Sequence, residues 1–194
     1  RTALKAEDAG VDAIVAEGSD SGGKVARDEV PTISLIPQVI EQVNIPVIAA
    51  GGMATGRGLL ASLAMGAQAV QLGTRFIASD ESPVHQNWNQ VLIDSGDSAT
   101  AIACKTSSPT RLVKNEFFDE LDALDEPGKT AMDFMPKQNE GSMRIPDDSD
   151  GSRGNYIAGT GTGLVREVKP VADIVREIIE EAEAGMAVMR QAFV

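Results

Sequence analysis

Residues 45–76, IPVIAAGGMATGRGLLASLAMGAQAVQLGTRF, read as strand, glycine turn, helix and strand. Pro46 to Ala50 is a short apolar run that Gly51-Gly52 breaks. Thr55 to Gly66 carries a helical stripe of Leu59, Leu60, Leu63 and Ala64, and Ala69 to Leu72 is apolar again before Gly73-Thr74-Arg75-Phe76. This spacing predicts one βαβ unit with a glycine at the carboxyl end of each strand. Glycine lacks a Cβ, so Gly51, Gly52 and Gly73 can take positive φ and let an anion approach backbone N–H groups. A helix opening near Thr55 would turn its positive end toward the same place. The pattern therefore predicts a phosphate at these turns. The alternative is that the glycines only end strands.

Upstream, the same rhythm continues. Thr2 to Ala9 reads as a helix with Gly10 behind it. Val11 to Ala16 reads as a strand buried on both faces of a parallel sheet. It ends in the glycine-rich loop Glu17-Gly18-Ser19-Asp20-Ser21-Gly22-Gly23-Lys24. Ser34 is expected to cap a helix with Leu35, Ile36, Val39, Ile40 and Val43 on one face and Pro37 in its first turn. Residues 2–76 thus alternate helix and strand, which predicts parallel strands ending near Glu17, Ala50 and Leu72 with right-handed crossovers.

Downstream the rhythm is lost. A helix is expected over Val84 to Asp94, β-like segments between Thr100 and Lys114, and a helix over Phe117 to Leu124. Asp125 to Gly154, with Pro127, Pro136 and Pro146, reads as a long, partly mobile connection or lid. Pro170 announces a final helix from Val171 to about Arg190, with Val171, Ile174, Val175, Ile178, Ile179 and Ala182 on one face. The expected division is 1–80, 81–169 and 170–194.

Of the 194 residues 42% are hydrophobic, enough for a real core, and the net charge is −12, which argues against nucleic-acid or anionic-membrane surfaces. Cys104 is the only cysteine, so an intramolecular disulfide and a cysteine-rich metal site are excluded. No apolar run approaches the length of a membrane span and nothing reads as a signal peptide, so a cytoplasmic setting is expected.

Titratable candidates are few. His85 is the only histidine and sits at what reads as a helix start, so histidine-dependent triads and metal sites have little to build on, and no metal is expected. Asp147, Asp148 and Asp150 read as a solvated acidic loop. Gly159-Thr160-Gly161-Thr162-Gly163 lacks the strand and ribose-binding acid of a dinucleotide fingerprint and reads as a flexible turn. Glu17 and Asp20 form a candidate general-base pair, and Lys24 would project over the mouth of a barrel.

Four runs taken together, Glu17 to Gly23, Leu35 to Val39, Ile45 to Gly52 and Val70 to Phe76, with Gly66-Ala67 between the last two, resemble the nitronate monooxygenase family. That family was formerly called 2-nitropropane dioxygenases, and the FMN-dependent enoyl-ACP reductase II enzymes share the pattern. The resemblance implies an α/β TIM-type (β/α)8 barrel, of which this chain would supply about strands 6 to 8 and a mainly helical C-terminal segment. It implies FMN bound by Ser21, Gly22, Gly23, Ala50, Gly51, Gly52, Gly73 and Thr74, and a nitronate oxidised with molecular oxygen. By the reductase alternative, an enoyl thioester would be reduced with NAD(P)H.

Where the family pattern has a histidine after the paired glycines, this chain has Lys24, which becomes the catalytic candidate. The replacement also leaves open a non-catalytic flavin-binding subunit. A closed barrel needs eight strands and typically about 250 residues. The expectation is therefore that the chain is the C-terminal part of a longer protein, truncated before Arg1 and inactive alone, completed by the missing N-terminal barrel part or a homo-oligomer.

Overall fold

The computed structural model describes residues 2–192. In chain order the helices are α1 (Thr2–Asp8), α2 (Thr32–Ile40), α3 (Gly56–Ala64), α4 (Thr74–Ile77), α5 (Gln86–Asp94), α6 (Glu116–Asp122), α7 (Ala131–Arg144) and α8 (Val171–Ala192). The strands are β1 (Ile14–Glu17), β2 (Gly23–Lys24), β3 (Val47–Ala50), β4 (Ala69–Gln71), β5 (Thr100–Ala103) and β6 (Thr110–Val113).

The strands form two sheets. β1, β3 and β4 lie in that order and are all parallel, with Glu17 opposite Ala50 and Ala50 opposite Gln71. The strand ends expected near Glu17, Ala50 and Leu72 therefore lie at one end of the sheet, as parallel strands require. α2 covers this sheet with Ile36, fully buried beside Ala16, Val47, Ala49 and Ala67. The second sheet, in the order β2, β6, β5, is antiparallel, with Lys24 opposite Thr110 and Ala103 opposite Thr110 on the other side. Ala103, Leu112, Phe117, Leu121 and Phe134 make a separate core there with α6 and α7.

Several expectations are corrected. β1 is shorter than Val11 to Ala16 and is not buried on both faces, since Val15 is 46% exposed; among the described residues β1 pairs only with β3, so it is a sheet edge. α2 starts at Thr32 rather than after Ser34, and Pro37 lies inside it rather than in its first turn. The earlier start follows from Asp20, whose carboxylate accepts the Thr32 N–H at 2.7 Å across the loop. Residues 125–154, read as a partly mobile connection or lid, contain a helix that this reading did not include, since α7 occupies much of them and tolerates Pro136. Its start carries a capping box in which Thr130 N–H donates to Asp133 Oδ2 at 2.7 Å, a signal that the prolines obscured. Glu120 of α6 then pairs with Lys137 at 2.6 Å and Arg144 at 3.0 Å, tying the two helices together.

The acidic cluster is not uniformly solvated. Asp148 is 1% exposed and accepts from the Arg153 and Gly154 N–H groups at 2.9 and 2.6 Å and from the Tyr156 hydroxyl at 2.9 Å. A buried carboxylate is tolerable only with such a donor set. On α8 the buried stripe is Ile174, Ile178 and Ala182, while Val175 and Ile179 are 45% and 46% exposed. α8 lies so close on α3 that a Cβ at Gly56 would come within 2.3 Å of the Ile178 carbonyl oxygen.

Candidate active site

A cleft of about 200 Å³ opens at the carboxyl ends of β1, β3 and β4. Glu17, Ala50 and Gln71, in register at the ends of the three strands, line its floor. Gly51 and Gly52 make the turn out of β3 with φ of 98° and 73°, the left-handed region in which a side chain would be strained. From β4 the chain enters α4 through Gly73 and Thr74, both in the cleft wall. Short helices leave their first N–H groups without intrahelical partners, so Thr74 contributes a donor here.

The loop after β1 is held from four sides. Ser19 N–H donates to Val30 O at 2.9 Å, Arg111 Nε to Ser19 O at 2.9 Å and Thr160 N–H to Asp20 O at 2.9 Å, while Asp20 caps α2. Ser21 and Gly22 are thereby fixed in the wall. The Ser21 hydroxyl is buried and has no hydrogen-bond partner among the described residues. A buried hydroxyl left unpaired costs about 1–3 kcal/mol, a cost that an acceptor placed beside Ser21 would offset. Gly73 lines the cleft, and an added Cβ there would meet nothing within 4 Å. Both observations fit a phosphate or a similar oxyanion.

All the residues expected to hold a cofactor phosphate line this cleft except Gly23, which sits in β2 opposite Arg111. Lys24 is also outside the lining. Its ammonium donates to Ser108 Oγ and Thr110 Oγ1, both at 2.7 Å, and stands 5.8 Å from the Phe134 ring centroid. Burial lowers its pKa, opposed by charge at Cys104. Glu17 and Asp20 do not act as a pair, since Asp20 is committed to α2. His85 caps α5, its Nδ1 accepting from Asn87 N–H at 3.3 Å. The positive end of α3 is not free for an anion as expected: Gly56 N–H donates to Glu181 Oε2 of α8 at 2.7 Å. Among the described residues no cluster of three or more histidine, cysteine or acidic side chains is placed to hold a metal.

Part of the cleft comes from a stretch read as a flexible turn. Thr160–Leu164 is a 3-10 helix, and Ile157, Ala158, Gly159 and Gly161 close the cleft opposite the strand ends. Gly159 N–H donates to Thr74 Oγ1 at 2.9 Å, which leaves the Thr74 hydroxyl hydrogen to face a ligand. The glycine spacing of 159–163 was visible, but its place beside Thr74 depends on contacts some 85 residues apart.

The sequence profile of the family described as "NMO: Nitronate monooxygenase" matches residues 1–181. A probable nitronate monooxygenase of Staphylococcus saprophyticus is 40% identical over 134 residues, 64% of this chain and 38% of that protein. A protein of the same description from Staphylococcus aureus is 41% identical over 128 residues, 61% of this chain and 36% of that protein. Among solved structures, FabK from Thermotoga maritima superposes with a TM-score of 0.87 at 35% identity over 98% of this chain and 60% of its own. A nitroalkane oxidase from Streptomyces ansochromogenes follows at 0.79 and 30%, over 95% of this chain and 56% of its own. The chain thus spans well under two thirds of the length of these relatives. With the cleft built from the motifs that carry the resemblance and the profile covering nearly all of the sequence, the chain belongs to the nitronate monooxygenase family, which is related to the enoyl-ACP reductase II enzymes.

Proposed function

We propose that this chain carries the phosphate-binding portion of an FMN site in an oxidoreductase that oxidises alkyl nitronates with molecular oxygen. The observation that carries the reading is the glycine-walled cleft at the ends of three parallel strands, with Ser21 and its buried, unpartnered hydroxyl in the wall. The cleft, at about 200 Å³, is below the roughly 300–1,000 Å³ of a whole ligand pocket, which suits a phosphate and its nearest atoms. The remaining wall of a (β/α)8 barrel belongs to the proposal, as does its position in the C-terminal part of that barrel.

When bound, a flavin supplies the electron transfer; the chain supplies position and a polar environment. Ser21 Oγ and the Thr74 hydroxyl donate to phosphate oxygens, and the backbone at Gly51, Gly52 and Gly73 lets those oxygens come close. Glu17, a carboxylate acceptor, suits hydroxyl groups next to the phosphate rather than the phosphate itself. Ile77, Ile157 and Ala158 keep water from the opposite wall. Lys24 remains the proposed catalytic cation, but an ammonium whose hydrogens lie on Ser108 and Thr110 oxygens offers positive charge and no lone pair for proton abstraction. A second reading, enoyl thioester reduction with NAD(P)H, is supported by the close superposition on FabK together with the family's relation to enoyl-ACP reductase II.

Titration with FMN and riboflavin, followed by flavin fluorescence, tests the phosphate site. The parent chain should prefer FMN at least tenfold, and Ser21→Ala should shrink that preference. Equal affinity for the two flavins in the parent would refute the reading. Oxygen uptake with a nitronate, against NAD(P)H consumption with an enoyl thioester, separates the two reactions.

A further inference from the structure

Beyond Gly52 the cleft has a neighbour. A second hollow, of about 480 Å³, shares Gly52 and Met53 with the first and is otherwise bounded by Arg57, Leu164, Arg166 and Glu181, with Thr55 and Gly58 at its floor. Its charge differs from that of its surroundings. The first cleft has Glu17 as its only ionisable lining group, and the whole chain carries −12, yet here two guanidinium groups face one carboxylate.

The two arginines are in different states. Arg57 is pinned, its Nε 3.0 Å from Glu181 Oε1, and the same carboxylate caps α3 through Gly56. With its orientation set and its side chain 87% exposed, the Arg57 guanidinium presents a flat face on which an aromatic base can stack. Among the described residues Arg166 has no such partner. Its single hydrogen bond runs from Nη1 to the adjacent Val165 carbonyl at 3.1 Å, so most of its donor fork is unused. A guanidinium fork in that state matches a phosphate in two-point contact. Leu164, 51% exposed between the arginines, and Met53 add an apolar surface that water solvates poorly.

We propose that this second cleft binds the phosphate of a purine nucleotide through Arg166, with the base against Arg57, Leu164 and Met53. Adenylate is the purine nucleotide that flavin and nicotinamide dinucleotides carry. Two sources share this chemistry: the adenylate half of FAD, continuing past a phosphate seated at Gly52, or a separate nicotinamide adenine dinucleotide. Only the choice of source rests on the flavin reading, since the Arg166 site stands on its own residues.

ADP, FMN and FAD serve as probes with the purified chain, ADP by calorimetry and the flavins by fluorescence. ADP should bind the parent, Arg166→Ala should weaken it at least tenfold, and Arg166→Lys should recover only part of the loss because the fork is gone. FAD binding at least tenfold tighter than FMN, with the advantage lost in Arg166→Ala, would assign the flavin's own adenylate. ADP binding that leaves FMN affinity unchanged, without an FAD advantage, would assign a separate dinucleotide. No ADP binding at millimolar concentration and no FAD advantage, or Arg166→Ala indistinguishable from the parent with every probe, would overturn the proposal. A chain that binds ADP but not FMN would refute the flavin reading while leaving this site standing, and the converse would do the opposite.

Discussion

The parallel sheet β1-β3-β4 and the antiparallel sheet β2-β6-β5 meet at the glycine-rich loop, but they are built on different principles. The first grows from neighbours in sequence, strand to helix to strand, and leaves its strand ends open as a cleft. The second joins Lys24 to Thr110 across 86 residues and encloses a core of Phe117, Leu121, Phe134 and Leu112. The difference teaches a division of labour: local βαβ chemistry makes the cleft, and long-range pairing fixes the loop that carries Ser21.

If the two regions are separable in this way, damage to the second core should spare the first sheet. Phe117→Ala removes a ring that is fully buried and against which Gly141 packs, and should cost about 3–5 kcal/mol. Hydrogen exchange should then rise in β5, β6, α6 and α7 while β3 amides stay protected. Equal loss of protection in β3 would show a single cooperative unit and break the comparison.

A smaller effect is expected where the second region supports the cleft wall. Asp148→Asn keeps the shape but removes the charge that holds Arg153, Gly154 and Tyr156, and should cost about 1.5–3 kcal/mol. Because Ile157 to Gly161 follow directly, FMN affinity should drop several-fold as well. Unchanged affinity with lowered stability would mean the wall is positioned without this knot.

Alkaline pH offers a gentler probe of the same contrast. Burial first, and then the Asp125 and Asp122 carboxylates, push the Cys104 thiol up to about 11. The folded chain therefore holds this proton to higher pH than an unfolded cysteine, whose pKa is about 8.5. Its stabilising contribution is full below that value and is lost as pH rises through about 11. The denaturation midpoint of the parent should fall further between about pH 8 and pH 11 than that of Cys104→Ala. Parallel curves would dismiss the thiol as a contributor.

Lys24→Met is expected to have a smaller effect on folding than Phe117→Ala or Asp148→Asn, loosening the β2–β6 pairing by about 1 kcal/mol. FMN retention should stay within twofold of the parent, since Lys24 lies outside the cleft lining. Turnover sharpens the assignment. A lowered affinity for anionic substrate at unchanged flavin content would support Lys24 as the catalytic cation, whereas unaltered kinetics would leave it a strut between strands.

What the sequence made legible follows the same divide. The β3-α3-β4 unit could be read from apolar runs and glycines because every contact that defines it lies within about 30 residues. The residues proposed to hold a phosphate came with it, since Gly51, Gly52, Gly73 and Thr74 lie where strands end and line the cleft. Thr32 as the start of α2 was hidden because its cap, Asp20, belongs to another loop. α7 was hidden by Pro136, and the Gly159 wall by its dependence on Thr74. Arg166 gave no signal at all, as an isolated arginine means nothing until Gly52 and Arg57 stand beside it.

Gly73→Val puts the central claim to the most direct test. The ideal Cβ at Gly73 meets no protein atom within 4 Å, so the variant should fold with stability within about 0.5 kcal/mol of the parent while adding an isopropyl group at a cleft-lining position. Fluorescence titration with FMN should then show affinity weakened at least tenfold in a chain whose circular dichroism and thermal midpoint match the parent. FMN bound by Gly73→Val as tightly as by the parent would contradict the account, because the phosphate would have to lie elsewhere.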